Sequence, residues 1–234
     1  MNQHTADTTP EGKEALLRTV AGRGVFDDVK KYVEEGAAVN SADKNGWTAL
    51  MLAAFNGHTE IAAYLVQKGA DIEAAPQAGW HAGWTALMRA AESGHTPVVA
   101  LLLEAGAKVD AAEKDGWTAL MFAAQNGHLE TVSRLLDAGA SVTYSNGATA
   151  LHRAANKGHT AVVARLLEAG ANVNAADKNG RTPLMYAAST GQVDTVAALL
   201  QAKADASLKD GGGRTALDIA RENDDGAIIR LLQG

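Results

Sequence analysis

The apolar residues of this chain come in short bursts of helical period, each cut off by glycine and separated from the next by a polar turn. Residues 49–54 (Ala-Leu-Met-Leu-Ala-Ala) and 61–66 (Ile-Ala-Ala-Tyr-Leu-Val) are one such pair. Leu50, Ala53 and Ala54 keep the i, i+3, i+4 spacing of one buried stripe, and Ile61, Leu65 and Val66 form the inward set of the second burst. The pattern predicts a first helix from about Ala49 to Asn56 and a second from about Thr59 to Lys68. Thr48 stands where an N-cap hydroxyl accepts from an orphan backbone N–H. Gly69 stands where a left-handed residue ends a helix. Asp43-Lys44-Asn45-Gly46, ahead of the pair, is turn chemistry.

The unit recurs. Gly-Trp-Thr-Ala-Leu-Met is found at 46–51, 83–88 and 116–121, with decayed copies at 147–152, 180–185 and 213–218. The leading glycines are 37, 33, 31, 33 and 33 residues apart, so one supersecondary unit is stacked in a row. Pro183 follows Thr182 at a first helical position, which supports the same start. The terminating glycine returns as Gly106, Gly139 and Gly170, but the sixth unit has Lys203 there. A lysine held left-handed costs about 1 kcal/mol relative to glycine.

A turn followed by two antiparallel helices at a period of 33 resembles the ankyrin repeat. Thr149-Ala150-Leu151-His152 and Thr182-Pro183-Leu184-Met185 come near the family's opening motif, while Met51, Met88 and Met121 replace its histidine. Gly-His pairs at 57–58, 94–95, 127–128 and 158–159 also match, as do the strings at 69–72 and 170–173. The resemblance implies an all-α ankyrin-repeat solenoid of helix-turn-helix units with protruding β-turn or hairpin fingers. It covers one domain over 13–234, after a disordered lead-in at 1–12. The expected parts are a cap at 13–42, repeats at 43–75, 80–112, 113–143, 144–176 and 177–209, and a cap at 210–234. An inserted loop, 76–83, lengthens one connection, and another is two residues short near 141–146. Irregular connections of this kind gather on one face of repeat proteins, often the binding face.

The resemblance also implies a concave groove lined by fingers and first helices. The residue between each turn glycine and the N-cap threonine projects from a finger: Trp47, Trp84, Trp117, Ala148, Arg181 and Arg214. With Phe55, Phe122, and Trp80 and His81 from the inserted loop, one end of the groove reads as aromatic. Arg153, Arg181 and Arg214 make the other end basic, with Tyr144 and Tyr186 near the join. Aromatic clusters left at a surface mark interaction sites. The expected function is a non-enzymatic module that grips a protein or peptide, its arginines pairing with an acidic stretch. A competing structural reading has each tryptophan lying over the next finger.

An alternative is a small-molecule site or an enzyme beneath the 76–83 loop, beside Trp47, Trp84 and Trp117. Successive fingers about 10 Å apart leave a slot for a flat or cationic ligand. Arg89, Glu92 and His81 would then be the catalytic or polar groups. No nucleophile elbow, phosphate-binding loop or His-Glu-x-x-His motif is present. The row of Gly-His histidines cannot converge on one ion when ligands must lie about 2 Å from it, so no metal and no cofactor is expected.

Composition adds little. A formal charge of −6 disfavours nucleic acid, and the absence of cysteine removes disulfide and thiolate chemistry. The polar start lacks the apolar run of a signal peptide or membrane span, so a cytoplasmic protein without membrane contact is expected.

Overall fold

The computed structural model describes residues 10–143 and 147–234. Among them are fourteen α-helices and no β-strand, in two compact units, Met1–Lys114 and Asp115–Gly234. The first unit contains α1 (Pro10–Arg23), α2 (Phe26–Glu34), α3 (Ala49–Phe55), α4 (Thr59–Gln67), α5 (Ala86–Glu92) and α6 (Thr96–Glu104). In it α1, α3 and α5 pack in one row, and α2, α4 and α6 in a second. The second unit contains α7 (Ala119–Gln125), α8 (Leu129–Asp137), α9 (Ala150–Lys157), α10 (Thr160–Glu168), α11 (Pro183–Ser189), α12 (Val193–Gln201), α13 (Ala216–Glu222) and α14 (Gly226–Gln233). Its odd- and even-numbered helices likewise form two rows.

The threonines cap as their position requires. Thr48, Thr85, Thr118 and Thr182 accept the N–H of Met51, Met88, Met121 and Met185 at 3.3–3.4 Å. Those methionines are 1–2% exposed and belong to the core between first helices. The alanine pairs 53–54, 90–91, 123–124, 154–155 and 187–188 are fully buried, and their small size lets neighbouring helices approach closely. Lys203 adopts φ 64, the left-handed conformation expected of its place.

Three expectations shift. The first helix opens at Pro10 rather than after residue 12, because proline at the first helical position has its φ already set. Residues 1–9 lie outside the described residues. The helices of the 43–75 repeat each end one residue early, with Asn56 and Lys68 as C-caps. Ala62, not Val66, joins Ile61 and Leu65 in the core, since Val66 sits at the edge of the stripe and remains half-buried.

His58, His95 and His159 of the Gly-His pairs are hydrogen-bonding struts between repeats. The Nε2–H of His58 donates to Gly22 O at 3.1 Å, that of His95 to Phe55 O and that of His159 to Gln125 O at 3.0 Å. Each ring lies so close beneath the preceding glycine that a Cβ on Gly57 would come within 2.6 Å of His95.

Candidate functional site

The finger residues hold cations, and the cations come from the chain itself. Arg89 lies on α5, five residues after Trp84, and reaches back over the base of its own finger. Its guanidinium carbon is 4.0 Å from the ring centre of Trp47 and 4.1 Å from that of Trp84, a sandwich between consecutive fingers. The slot that the tryptophan spacing suggests for a flat or cationic ligand is therefore filled from within. Arg89 is 2% exposed, and its Nε and one terminal nitrogen have no hydrogen-bond partner. Burial pulls its pKa down to about 10, with Glu92 at 3.8 Å opposing the fall. Burial raises Glu92, and the Arg89 charge works against that rise.

The inserted loop closes over this stack. His81 sets its ring edge-on to both tryptophans, 5.7 Å from Trp47 and 5.4 Å from Trp84. Its Nδ1 is buried without a partner, and burial followed by the Arg89 charge lowers its pKa. The loop is tied at its base by the Gly83 N–H donating to Pro76 O at 2.8 Å. Gly83 has φ 83, and a Cβ there would press within 2.9 Å of the Glu113 backbone, so this turn requires glycine. Trp80, at the loop's crest, is 91% exposed. Phe55 packs edge-on to Trp47 at 6.0 Å and is itself 39% exposed. Lys44, Asn45, Trp47, Ala78, Gly79, Trp80 and His81 line an open cleft of about 530 Å³.

The second unit carries a related but incomplete arrangement. The Arg153 guanidinium stacks on Trp117 at 3.9 Å, and Trp117 leans on the buried Phe122 at 5.1 Å. Burial lowers the Arg153 pKa. Tyr186 donates its hydroxyl to Asp177 at 2.8 Å and lies under Arg181 at 5.8 Å. Burial raises the Asp177 carboxyl, but N–H groups of Arg181 and Asn179 and the Tyr186 hydroxyl together bring it below its usual range. Asp210 accepts from the Arg214 backbone N–H and, at 2.8 Å, from its guanidinium, which holds its carboxyl down to about 2. Arg181 lies 3.7 Å from the same carboxylate. Lys178, Arg181, Tyr186, Asp210 and Arg214 line a second cleft of about 650 Å³.

Trp47, His81, Trp84, Arg89 and Glu92 thus come together, with Trp80 and Phe55 on the rim. Trp117, Phe122 and Arg153 form a second cluster, and Arg181, Tyr186 and Arg214 a third. Tyr144 lies outside the described residues. In the sequence Lys44 and Asn45 read only as turn formers, and Asp177 and Asp210 do not stand out as anchors. The available signal is an aspartate four residues before a finger residue, at 43, 177 and 210. Each of these carboxylates accepts the finger residue's own backbone N–H. Among the described residues no group of three or more His, Asp or Glu is placed to hold a metal. Nor is any described helix long and apolar enough to cross a membrane.

Paired helices, capped by threonine and joined by glycine-centred fingers, define an all-helical repeat protein. The chain belongs to the ankyrin-repeat family, whose profile of ankyrin repeats (3 copies) matches residues 16–113, 73–146, 106–177 and 151–234. Among solved structures, the human ASB11 ankyrin repeat domain superposes with a TM-score of 0.83 at 27% identity, covering 93% of this chain and 96% of that one. The Notch-regulated ankyrin repeat-containing protein of Homo sapiens is 44% identical over 59 residues, 25% of this chain and 51% of that protein. Protein phosphatase 1 regulatory subunit 27 of Mus musculus is 40% identical over 70 residues, 30% of this chain and 45% of its own length. The mitochondrial disaggregase of Homo sapiens matches over 68 residues at 37% identity, 29% of this chain and 10% of its own length. The chain spans about half or less of these relatives. Ankyrin repeats are generally protein–protein interaction modules.

Proposed function

We propose that this chain is a non-enzymatic binding module that takes a protein or peptide partner on the aromatic finger face of its first unit. The observation that carries the proposal is Trp80, 91% exposed at the crest of a tied loop, beside a cleft walled by Trp47 and His81. A large aromatic side chain held in water on an ordered loop is the type of residue that anchors interfaces. The relative described as a phosphatase regulatory subunit supports a protein as the partner class.

Recognition in this reading is mainly apolar. An apolar side chain of the partner packs against Trp80 and Trp47, and Lys44 at the rim takes a partner carboxylate. The longer acidic stretch has less to meet in the second unit, where Asp210 already engages Arg181 and Arg214. A catalytic reading requires Arg89 to reach a substrate, and the Trp47–Trp84 sandwich withholds it. The cleft has the volume of a ligand pocket, so a small molecule is the second reading.

The test compares wild type with Trp80→Ala as immobilised baits, alongside their far-ultraviolet circular dichroism. The proposal expects a partner retained by wild type to lose about thirtyfold in affinity, about 2 kcal/mol, with helicity unchanged. Equal retention by both baits overturns it. Saturable tryptophan quenching by a fractionated metabolite pool, abolished by deleting residues 78–82, selects the small-molecule reading instead.

A further inference from the structure

We infer that the Arg153 guanidinium presents an open face to a partner, and that this face is a subsite for one aromatic side chain. The inference goes beyond the first-unit site and rests on the reading that the chain binds a protein or peptide.

The second repeat supplies the template. Arg89 lies five residues after Trp84, and Arg153 lies five residues after Ala148. Both helices open on an extended threonine N-cap, Thr85 at φ −86, ψ 168 and Thr149 at φ −75, ψ 173. The two caps therefore match, and Trp84 and Ala148 hold the same place in sequence before them, although the turn glycines differ, Gly83 at φ 83 and Gly147 at φ 144. The preceding finger also matches, since Trp117 stacks on Arg153 at 3.9 Å as Trp47 does on Arg89 at 4.0 Å. The difference is the second ring. Where Trp84 closes the Arg89 sandwich at 4.1 Å, the corresponding side chain is the methyl of Ala148. Among the described residues, Trp117 is the one ring over the Arg153 guanidinium. Burial follows suit: Arg89 is 2% exposed and Arg153 is only half-buried.

The chemistry favours a neutral ring over an anion. Asp177 already supplies Arg153 with a negative neighbour, so an incoming carboxylate competes with it while an aromatic ring does not. Arg153 Nε, like Arg89 Nε, is buried without a hydrogen-bond partner. A partly dehydrated cation gains more from a ring face than a fully solvated one. An indole, phenol or phenyl group arriving opposite Trp117 reproduces the arrangement that the second repeat makes from its own residues.

The subsite is tested with small probes, so its outcome is separable from that of the Trp80 experiment. N-acetyl-tryptophanamide and N-acetyl-leucinamide are titrated into the full chain while the ¹⁵N-edited Arg153 Nε–H signal, assigned with Arg153→Lys, is followed. The expected result is a saturating shift with the tryptophan probe, at least about fivefold tighter than any response to the leucine probe. Ala148→Trp, which fills the slot from within, should abolish that shift. Equal responses to both probes, or no response at Arg153, overturn the inference even if Ala148→Trp does not fold. Undiminished binding of the tryptophan probe by a folded Ala148→Trp also overturns it.

Discussion

The guanidinium of Arg89 lies 4.0 Å over the ring of Trp47, a side chain from the preceding repeat. With Trp84 on its other face, the arginine joins two fingers that share no helix. A buried cation on an aromatic face contributes on the order of 2 kcal/mol. The planar guanidinium presents both faces at once, which a lysine ammonium cannot do. Arg89→Lys is therefore expected to destabilise the chain by about 1–2 kcal/mol, a fall of roughly 2–8 °C in melting temperature. An unchanged or raised melting temperature contradicts the clamp.

His81 makes the docking of the 76–83 loop sensitive to acid. It shares both tryptophan rings with Arg89, and the other charged groups around the stack are Glu92 on α5, Lys44 on the first finger and Glu113 beside Gly83. Because its pKa is lowered when docked, the loop's stability is fully present above the ordinary value of 6.5. That stability is lost as pH falls below 6.5 and through the lowered pKa. Glu92 has the opposite sign: its raised pKa stabilises below 4.5, outside the upper part of this window. The Ala82 and Gly83 amides, which donate to Gly79 O and Pro76 O, should lose protection relative to their intrinsic exchange rates as pH falls below about 6.5, and His81→Phe should flatten that profile. A wild-type profile no steeper than that of His81→Phe removes the role of His81.

Lys203 occupies a left-handed position, φ 64, that glycine fills at Gly69, Gly106, Gly139 and Gly170. Lys203→Gly removes the clash between Cβ and backbone at that place and should stabilise by about 1 kcal/mol. Equilibrium unfolding in urea measures it. A lower midpoint for the glycine variant shows that the lysine carries a compensating contact.

What the sequence reveals is what local backbone chemistry determines. Thr48, Gly46, Gly69 and the buried Met51 each answer to their immediate neighbours, and each takes its expected role. Pro10 opens a helix whose start is obscured in the sequence by a surrounding polar composition that suggests disorder. The Arg89 sandwich is not legible, because it depends on the separation of consecutive fingers and on a side chain reaching back along its helix. Spacing alone reveals the slot between Trp47 and Trp84 but not that Arg89 fills it. The same holds for Arg181 and Arg214, visible as charges, whose shared carboxylate on Asp210 looks like an ordinary turn residue.

The tryptophans of the first unit differ in setting, since Trp47 and Trp84 hold Arg89 whereas Trp80 is exposed and is the residue proposed to meet the partner. Thermal unfolding of Trp84→Ala beside Trp80→Ala tests that division most directly. The predicted result is a loss of about 3 kcal/mol for Trp84→Ala, on the order of 6–12 °C, and a change within about 0.5 kcal/mol for Trp80→Ala. Equal melting temperatures for the two variants, or a larger fall for Trp80→Ala, contradict it.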